Sequence, residues 1–427
     1  MNILIIGNGF DLAHGLPTKY TDFLQYCRDY DKNDPVSISN EQNEEFNSLV
    51  GENVWLKYFL NTAINLDNTK TWIDFEKEVA KVIQNMDLVK LKVETASYFN
   101  NPSENMLVLL SSNKIVESFI KPLCTPFTSN SFVEREGKFI LTNKRITDIE
   151  SFINFVYYQL RDFTRAFEIY CQKINETSIL KPVISSERKN QINEKNKMIE
   201  SYANQLKYRN GSATRKDYDQ LETSRKIVSQ ELFNLSNKIN PIDYLSFSKF
   251  DCVLSFNYTN TYQRLYGNVD TKYCYIHGKA QENKNNTNII FGINDELSKG
   301  EESNDFKWIR FKKFYQRIIF KTGSEYKDWI TSKTNRGNIQ NYVHIVGLSL
   351  DRTDYDVLYE IFSNHNLKII VYYYCLEDFE DKVQKVIRLL AYKGLNGRDE
   401  LIHRAHGSQW SIKFVNQYDK VEGLFVK

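Results

Sequence analysis

The chain opens with four consecutive apolar residues that run directly into a glycine-rich turn, and this feature constrains the fold most. Residues 3–6 are followed by Gly-Asn-Gly at 7–9, then by Gly15 and Pro17. A short apolar run of this kind predicts a buried strand, and glycines after it let the next helix begin close to the strand end. Parallel sheets covered by helices are built from such units. The opening residues therefore predict an α/β protein.

Strand-like segments recur in the second half of the chain and share the character of the first one. They are short, rich in β-branched or aromatic residues, and nearly continuous in apolar character, as are strands that helices cover on both faces. The segments are residues 250–256, 273–277, 288–293, 342–350 and 367–375. Helical periodicity follows the last two of them. Strands and helices that alternate in this way predict a Rossmann-like parallel sheet.

Between the first strand and residue 250 the sequence is mostly helical in pattern, and its composition changes near residue 185. Residues 185–240 are polar, with a narrow apolar stripe that predicts two antiparallel helices projecting from the body. A disordered polar linker is the alternative. The predicted divisions are a Rossmann-like core of residues 1–30 and 245–427, a helical insertion of residues 31–184, and a helical hairpin of residues 185–244.

The overall composition argues against several classes of function. The net charge of the 427 residues is +2, which creates no field that would attract nucleic acid. The six cysteines include no C-x-x-C pair, so the sequence indicates neither a zinc site nor a disulfide framework. No apolar run approaches the length of a membrane span, and the opening run is too short for a signal peptide. We therefore expect a cytoplasmic protein with no metal and no membrane contact.

One segment combines basic and aromatic residues, a combination that also occurs in nucleic-acid interfaces. In residues 305–321, the aromatic and aliphatic residues Trp308, Phe311, Tyr315 and Ile318 recur at helical spacing. Such spacing more often marks a helix face turned to the core, with the lysines outside. The sequence therefore makes contact with RNA or DNA unlikely.

Polar or small residues follow several of the predicted strands. Asn257 comes directly after one strand, His277 after the next, and Gly347, Ser349 and Asp351 after a third. Open α/β sheets bind ligands beyond the carboxyl ends of their strands, so these residues could converge on one crevice with the opening turn. Each also has a structural alternative: Asn257 and His277 as turn residues, Ser349 or Asp351 as a helix cap.

The opening turn on its own is a weak sign of nucleotide binding. Its spacing is Gly-x-Gly-x5-Gly rather than G-x-G-x-x-G, and no acidic residue follows a second strand about twenty positions later. An ordinary tight turn is the alternative. Asp11 could bind a ribose hydroxyl or cap the helix that begins at the turn.

In their order along the chain, six blocks resemble the AbiH family of bacteriophage abortive-infection proteins. They run from residue 2 to about residue 362: NILIIGNGFDLAHGLPTKYTDFL, WIDFEKEV, SFNYTNTY, IHGK, IIFGIND and VGLSLDRTDYDVL. The resemblance implies a role in antiphage defence. The second block contains Trp72, Asp74 and Glu76, to which neither the resemblance nor the spacing gives a role. Glu76 is a secondary candidate for an acid, but a solvated helix face is the favoured interpretation.

The order of these motifs is also similar, more distantly, to the sirtuin-like fold, which includes NAD-cleaving domains of antiphage systems. That resemblance implies that the glycine loop covers NAD, that the asparagine and histidine act at the nicotinamide ribose, and that the Gly-x-Ser-Leu turn holds the adenosine side. Carried over, NAD binding falls to Gly7, Gly9, Gly15, Pro17, Gly347 and Ser349, and catalysis to Asn257 and His277. Asn8, Phe10 and Asp11 of the same loop are added as binding candidates, although Asp11 stands where sirtuins have a small hydroxyl residue. Sirtuin deacylases carry a four-cysteine zinc module that this sequence lacks, which disfavours deacylation. Further departures are Thr18-Lys19-Tyr20 after the proline and Thr259 in place of an aspartate.

The function expected from the resemblances is cleavage of the nicotinamide–ribose bond, which would deplete NAD during infection. NAD or a related nucleotide is then a substrate or ligand, and a neutral histidine with an asparagine suffices for the hydrolysis without a metal. The alternative is a non-catalytic nucleotide sensor whose helical hairpin docks a phage or host protein. A nuclease is less favoured, since no clustered acidic metal site is evident. A homo-oligomer is left open.

Overall fold

The computed structural model covers both ends of the predicted core and most of the helical insertion. The residues it describes are 1–29, 40–51, 53–61, 72–86, 90–95, 105–110, 132–135, 138–141, 149–177, 198, 201, 204, 205, 217, 221, 250–281, 287–294, 306–331, 341–394, 396–406 and 410–416. Almost all of the predicted helical hairpin at 185–244 lies outside the described residues, so it stays a prediction.

Within the described residues, ten strands form two sheets. The strands are β1 (Asn2–Ile6), β2 (Lys90–Thr95), β3 (Asn105–Leu110), β4 (Phe132–Arg135), β5 (Lys138–Leu141), β6 (Cys252–Ser255), β7 (Lys272–Tyr275), β8 (Asn341–Val346), β9 (Leu367–Tyr373) and β10 (Ile412–Asn416). The larger sheet has six parallel strands in the order β10-β9-β8-β1-β6-β7. The opening strand therefore lies at its centre, with β6 and β7 on one side and the later strands on the other, and the predicted α/β fold is confirmed.

Helices lie on both faces of this sheet and in the insertion. They are α1 (Asn8–Ala13), α2 (Tyr20–Asp29), α3 (Asn40–Val50), α4 (Val54–Asn61), α5 (Trp72–Met86), α6 (Ile149–Thr177), α7 (Thr261–Leu265), α8 (Lys313–Phe320), α9 (Tyr326–Thr331), α10 (Tyr355–Phe362), α11 (Leu376–Leu390) and α12 (Gly397–Ala405). Short 3₁₀ turns at Phe306–Phe311, Arg352–Asp354 and Ala391–Lys393 complete the elements.

The continuous apolar runs exist because the sheet is buried on both faces. Ile3 and Ile5 of β1 pack into the cluster beneath α9–α12, whereas Leu4 and Ile6 point to the opposite face and contact Phe10 and its neighbours. Successive residues of a strand face opposite sides, so a strand with two covered faces needs apolar residues at every position. The sequence pattern of β1 follows directly from its central place.

The insertion helices build a separate aromatic core. Phe75 of α5 lies between Phe59 of α4, at 3.9 Å between ring centroids, and Phe163 of α6, at 5.3 Å. Phe291, from the segment after β7, contacts Phe75 at 4.8 Å. Aromatic pairs at these distances add to the free energy gained by burying the rings themselves. The aromatic core therefore fixes α5 and α6 against the segment that follows His277.

Residues 288–293, predicted as a strand, form none. The segment is extended and buried but contributes one isolated bridge, between Ile293 and Lys312. Its backbone groups bond elsewhere: the Gln316 side chain pairs with both the N–H and the carbonyl of Phe291, and Arg161 donates to the Ile289 carbonyl. Side chains satisfy the polar groups that a neighbouring strand would have satisfied, and the apolar run alone cannot reveal this.

Five strands were missed, and one predicted stripe was partly wrong. The antiparallel sheet β2-β3-β5-β4 lies in a region with a mostly helical pattern, and the short edge strand β10 was not predicted. Trp308 and Phe311 are buried as expected, but Ile318 is 69% exposed. The four residues do not lie on one helix face, because Phe306–Phe311 forms a 3₁₀ turn and α8 begins only at Lys313. A single helical period therefore does not span both elements.

The opening glycines allow two backbone segments to touch. The Gly9 N–H donates to the Gly347 carbonyl at 2.8 Å, and Gly347 itself has a φ of +64°. A Cβ at Gly9 would lie 2.8 Å from that carbonyl oxygen, and one at Gly7 would lie 2.7 Å from the Leu348 Cα. The absence of a side chain at both positions is thus required by the contact between the β1–α1 turn and the turn after β8.

We expect Gly9→Ala to destabilise the fold by about 1–3 kcal/mol, because the added methyl group must displace backbone rather than a flexible side chain. Gly15→Ala is the comparison: Gly15 has a φ of +78° but open space around it, so only the strain of about 1 kcal/mol applies. Urea unfolding of both variants measures the difference. A Gly9→Ala loss no larger than that of Gly15→Ala would contradict the packing role.

Candidate functional site

A cavity of about 520 Å³ lies at the carboxyl ends of five adjacent strands of the parallel sheet. The β1–α1 turn, the turn after β8, and the residues following β6, β7 and β9 form its walls, and α5, α6, α8 and α11 add side chains. The sheet order reverses at β1, and open α/β sheets place ligands at such a switch point.

Most of the predicted site residues line this cavity. They are Asn8, Gly9, Phe10, Asp11, Asn257, His277, Gly347 and Ser349. Gly7, Gly15 and Pro17 do not line it: Gly7 packs on Leu348, Gly15 follows α1, and Pro17 is exposed, with its carbonyl accepting a hydrogen bond from Tyr170. Asp351 is a cap, since its side chain accepts from the Arg352 N–H.

His277 is held by a carboxylate in a buried setting. Its Nε2 lies 3.0 Å from Asp354 Oδ1, and the side chain is 5% exposed. Burial lowers the pKa of His277 to about 4, although the neighbouring Asp354 carboxylate acts to raise it. Burial would raise the pKa of Asp354, but Lys313 and His277 together hold it below the usual range. His277 is therefore neutral at pH 7 and donates its Nε2 proton to an ionised Asp354.

This tautomer leaves Nδ1 of His277 as the basic nitrogen. Nδ1 is buried and has no hydrogen-bond partner among the described residues. An imidazole oriented by a carboxylate at one nitrogen accepts protons at the other, which is the arrangement that general bases use. His277 can consequently take a proton from a ligand or water that reaches Nδ1.

Next to Asp354 lies a buried ion-pair network that the sequence did not reveal as a unit. It includes Glu76, which is 5% exposed, so the favoured expectation of a solvated helix face is wrong. Lys313 Nζ lies 3.0 Å from Asp354 Oδ1 and 2.8 Å from Glu76 Oε1, and both Lys313 and Glu76 line the cavity. Burial raises the pKa of Glu76 to about 7 although Lys313 opposes the change. Burial would lower the pKa of Lys313, but the two carboxylates raise it. The lysine thus stays charged and orients the Asp354–His277 pair.

Asp11, the acidic residue of the opening turn, is fully buried at the cavity wall. Its Oδ2 accepts a hydrogen bond from the Thr259 hydroxyl, which in turn lies 3.0 Å from the Thr261 hydroxyl. Burial raises the pKa of Asp11 to about 6, although these hydroxyls and the nearby Asn257 amide lower it. Its Oδ1 has no partner among the described residues, so Asp11 can accept a hydrogen bond from a ligand.

Asn257 is the most unusual polar residue of the site. Its side chain is 3% exposed, and neither the amide nitrogen nor the amide oxygen is within hydrogen-bond distance of a partner among the described residues, although the amide is near enough to Asp11 to lower the pKa of that carboxyl. Leaving such groups unpaired costs about 1–3 kcal/mol, so a buried amide of this kind normally has a partner. A ligand with both donor and acceptor groups would satisfy it.

Asp11→Asn is expected to stabilise the free protein at pH 8 but not at pH 4. The folded pKa of Asp11 is raised from 3.8 to about 6, so the folded state binds more protons than the unfolded state in this window and loses stability as the pH rises through it. Above about pH 6, burying the ionised Asp11 carboxylate costs about 3 kcal/mol of stability, and an uncharged asparagine avoids this cost. Urea unfolding of both proteins at both pH values measures the gain. His277 also titrates in this pH range, but it does so in both proteins and therefore does not affect the difference between them. A gain that is equal at pH 4 and pH 8 would contradict the buried carboxyl.

Sheet topology and cavity together define an α/β protein of the Rossmann-like type with a ligand-sized site at its switch point. The family model for bacteriophage abortive infection AbiH matches residues 3–374. The chain therefore belongs to the AbiH family, whose function is abortive infection in defence against bacteriophages. Neither a curated protein nor a solved structure matches the chain.

Two properties of the described residues bear on other classes of site. None of the described helices is long and apolar enough to cross a membrane. Within the same residues, no group of three or more histidine, cysteine, aspartate or glutamate side chains is arranged to hold a metal ion. Trp72 and Asp74 belong to α5, but only Glu76 of the three can be related to the cavity, because the other two side chains lie outside the described part.

Proposed function

We propose that this chain hydrolyses the nicotinamide–ribose bond of NAD in the cavity and thereby depletes the dinucleotide during infection. One observation supports this most: a neutral His277 with a free Nδ1 lies in the same cavity as the unpaired Asn257 amide. A basic Nδ1 and an amide that both lack hydrogen-bond partners among the described residues suit a reaction at a sugar bearing several hydroxyl groups.

The reaction breaks the bond between the ribose C1′ and the nicotinamide nitrogen. Its electron pair leaves with nicotinamide, which departs neutral, and the ribose carries positive charge in the transition state. Water adds to C1′ from the open face and passes its proton to Nδ1 of His277, which releases it to solvent. The products are ADP-ribose, nicotinamide and one proton. A positioned general base typically accelerates such a step by about 10²–10⁴-fold.

Asn257 and Asp11 have distinct parts in this proposal. The Asn257 amide orients the attacking water or a ribose hydroxyl without adding charge. Asp11, with a pKa of about 6, is mostly ionised at pH 7 and supplies negative charge close to the developing cation. The Asp11 carboxylate also suits a ribose hydroxyl, which donates to Oδ1.

The test is release of nicotinamide from NAD by the purified protein, with and without phage lysate, followed by chromatography. The proposal predicts release under at least one of these conditions. Absence of nicotinamide under both would contradict hydrolysis. Stabilisation of the protein by NAD without release would instead support a nucleotide sensor that responds to a phage or host protein.

A further inference from the structure

The cavity extends well beyond the proposed reaction centre. His277 follows β7, and the opposite end is lined by Tyr372, Tyr374, Asp378 and Lys382, at the end of β9 and in α11. Four strand spacings separate β7 from β9, a distance of about 19 Å at roughly 4.8 Å each. A mononucleoside would occupy only one end, whereas an extended dinucleotide reaches both.

At the β9 end the ionised groups are already paired with each other. Lys382 Nζ lies 2.7 Å from Asp378 Oδ1, and Asp378 Oδ2 accepts the Tyr374 N–H at 3.1 Å. Both side chains are at most 11% exposed. Lys313, the other lysine among the described lining residues, is likewise held by carboxylates. Neither lysine is thus available as a separate partner for an additional phosphate.

We infer, on the basis of the proposed function, that Asp378 makes the site selective for NAD over its 2′-phosphorylated form, NADP. With the nicotinamide ribose beside His277, the second ribose lies at the β9 end. Each oxygen of the Asp378 carboxylate has a further lone pair that accepts a hydrogen bond from a ribose hydroxyl. A 2′-phosphate in the same position meets the carboxylate as a like charge, and Lys382 cannot compensate while Asp378 neutralises it.

The experiment uses calorimetric titration with ADP-ribose and with 2′-phospho-ADP-ribose, neither of which the proposed reaction consumes. We expect the wild-type chain to bind ADP-ribose at least about 10-fold more tightly than its 2′-phosphorylated form. Asp378→Asn keeps an acceptor for the Tyr374 N–H, removes the repulsion and frees Lys382. It is expected to shift the ratio of the two affinities by about 10-fold or more toward the phosphorylated ligand.

The same helix supplies a matched control. Asp381 pairs with Lys385 at 2.8 Å in the same i,i+4 arrangement but does not line the cavity, so Asp381→Asn should leave the ratio unchanged. Adding Lys382→Gln to Asp378→Asn should remove the gain in affinity for the phosphorylated ligand. Comparable wild-type affinities for the two ligands would overturn this inference alone, as would an unchanged ratio in Asp378→Asn. Failure of both ligands to bind would overturn the proposed function and the inference with it.

Discussion

Replacing His277 by alanine is expected to lower the rate of nicotinamide release by about 10²–10⁴-fold, the contribution typical of a general base. The imidazole is neutral at pH 7 and is aligned by a carboxylate in the cavity. The rate of release from NAD at saturating concentration measures the effect. Phage plating on cells that express the variant should show the same loss of protection.

His365 offers a control of the same chemistry outside the cavity. Its Nε2 lies 3.4 Å from Glu400, but the side chain is 64% exposed, so His365→Ala should retain the wild-type rate. Asp354→Asn should also slow the reaction, because an amide can donate to Nε2 and so move the histidine proton to Nδ1. A His277→Ala protein that is folded and still releases nicotinamide at the wild-type rate would exclude His277 as the base.

Lys313→Met is expected to destabilise the protein by about 3–5 kcal/mol, because it leaves two buried carboxylates without their shared cation. Lys313 is 3% exposed and lies within 3.0 Å of an oxygen of both Glu76 and Asp354. The free energy of unfolding from urea titration measures the loss. Adding Glu76→Gln should recover little of it, because the pKa of Glu76 is about 7 even beside Lys313 and the carboxyl is protonated once the lysine is gone.

The control for this variant is an exposed pair. Lys327 lies 3.0 Å from Glu360, with 55% and 38% of the two side chains exposed, and Lys327→Met should change the stability by about 0–1 kcal/mol. If Lys313→Met lost no more stability than Lys327→Met, the buried network would not have the energetic role that its geometry implies.

The central sheet could be predicted because burial on both faces leaves a continuous apolar pattern. β1, β6, β8 and β9 carry that pattern and were predicted close to their observed bounds. The segment at 288–293 has the same pattern but satisfies its backbone with Gln316 and Arg161, which lie far away in the sequence. Local composition indicates that a segment is buried, but it does not indicate which groups form hydrogen bonds with the backbone of that segment.

The site was predictable only where its residues follow strands. Asn257 and His277 were found because the carboxyl ends of neighbouring parallel strands share one edge. Glu76, Lys313 and Asp354 come from three distant parts of the chain, and no spacing connects them. Gly9 was assigned to a ligand and lines the cavity, but its contact with Gly347 could not be inferred from the sequence.

The proposed function depends most on whether the buried Asn257 amide binds a ribosyl nucleotide. Calorimetric titration of ADP-ribose into the wild-type protein and into Asn257→Leu tests it directly. We predict binding by the wild type and a loss of at least about 10-fold in the variant, with urea unfolding of both proteins to check that the variant is folded. Equal affinities for the two proteins, or no binding by the wild type, would contradict the claim.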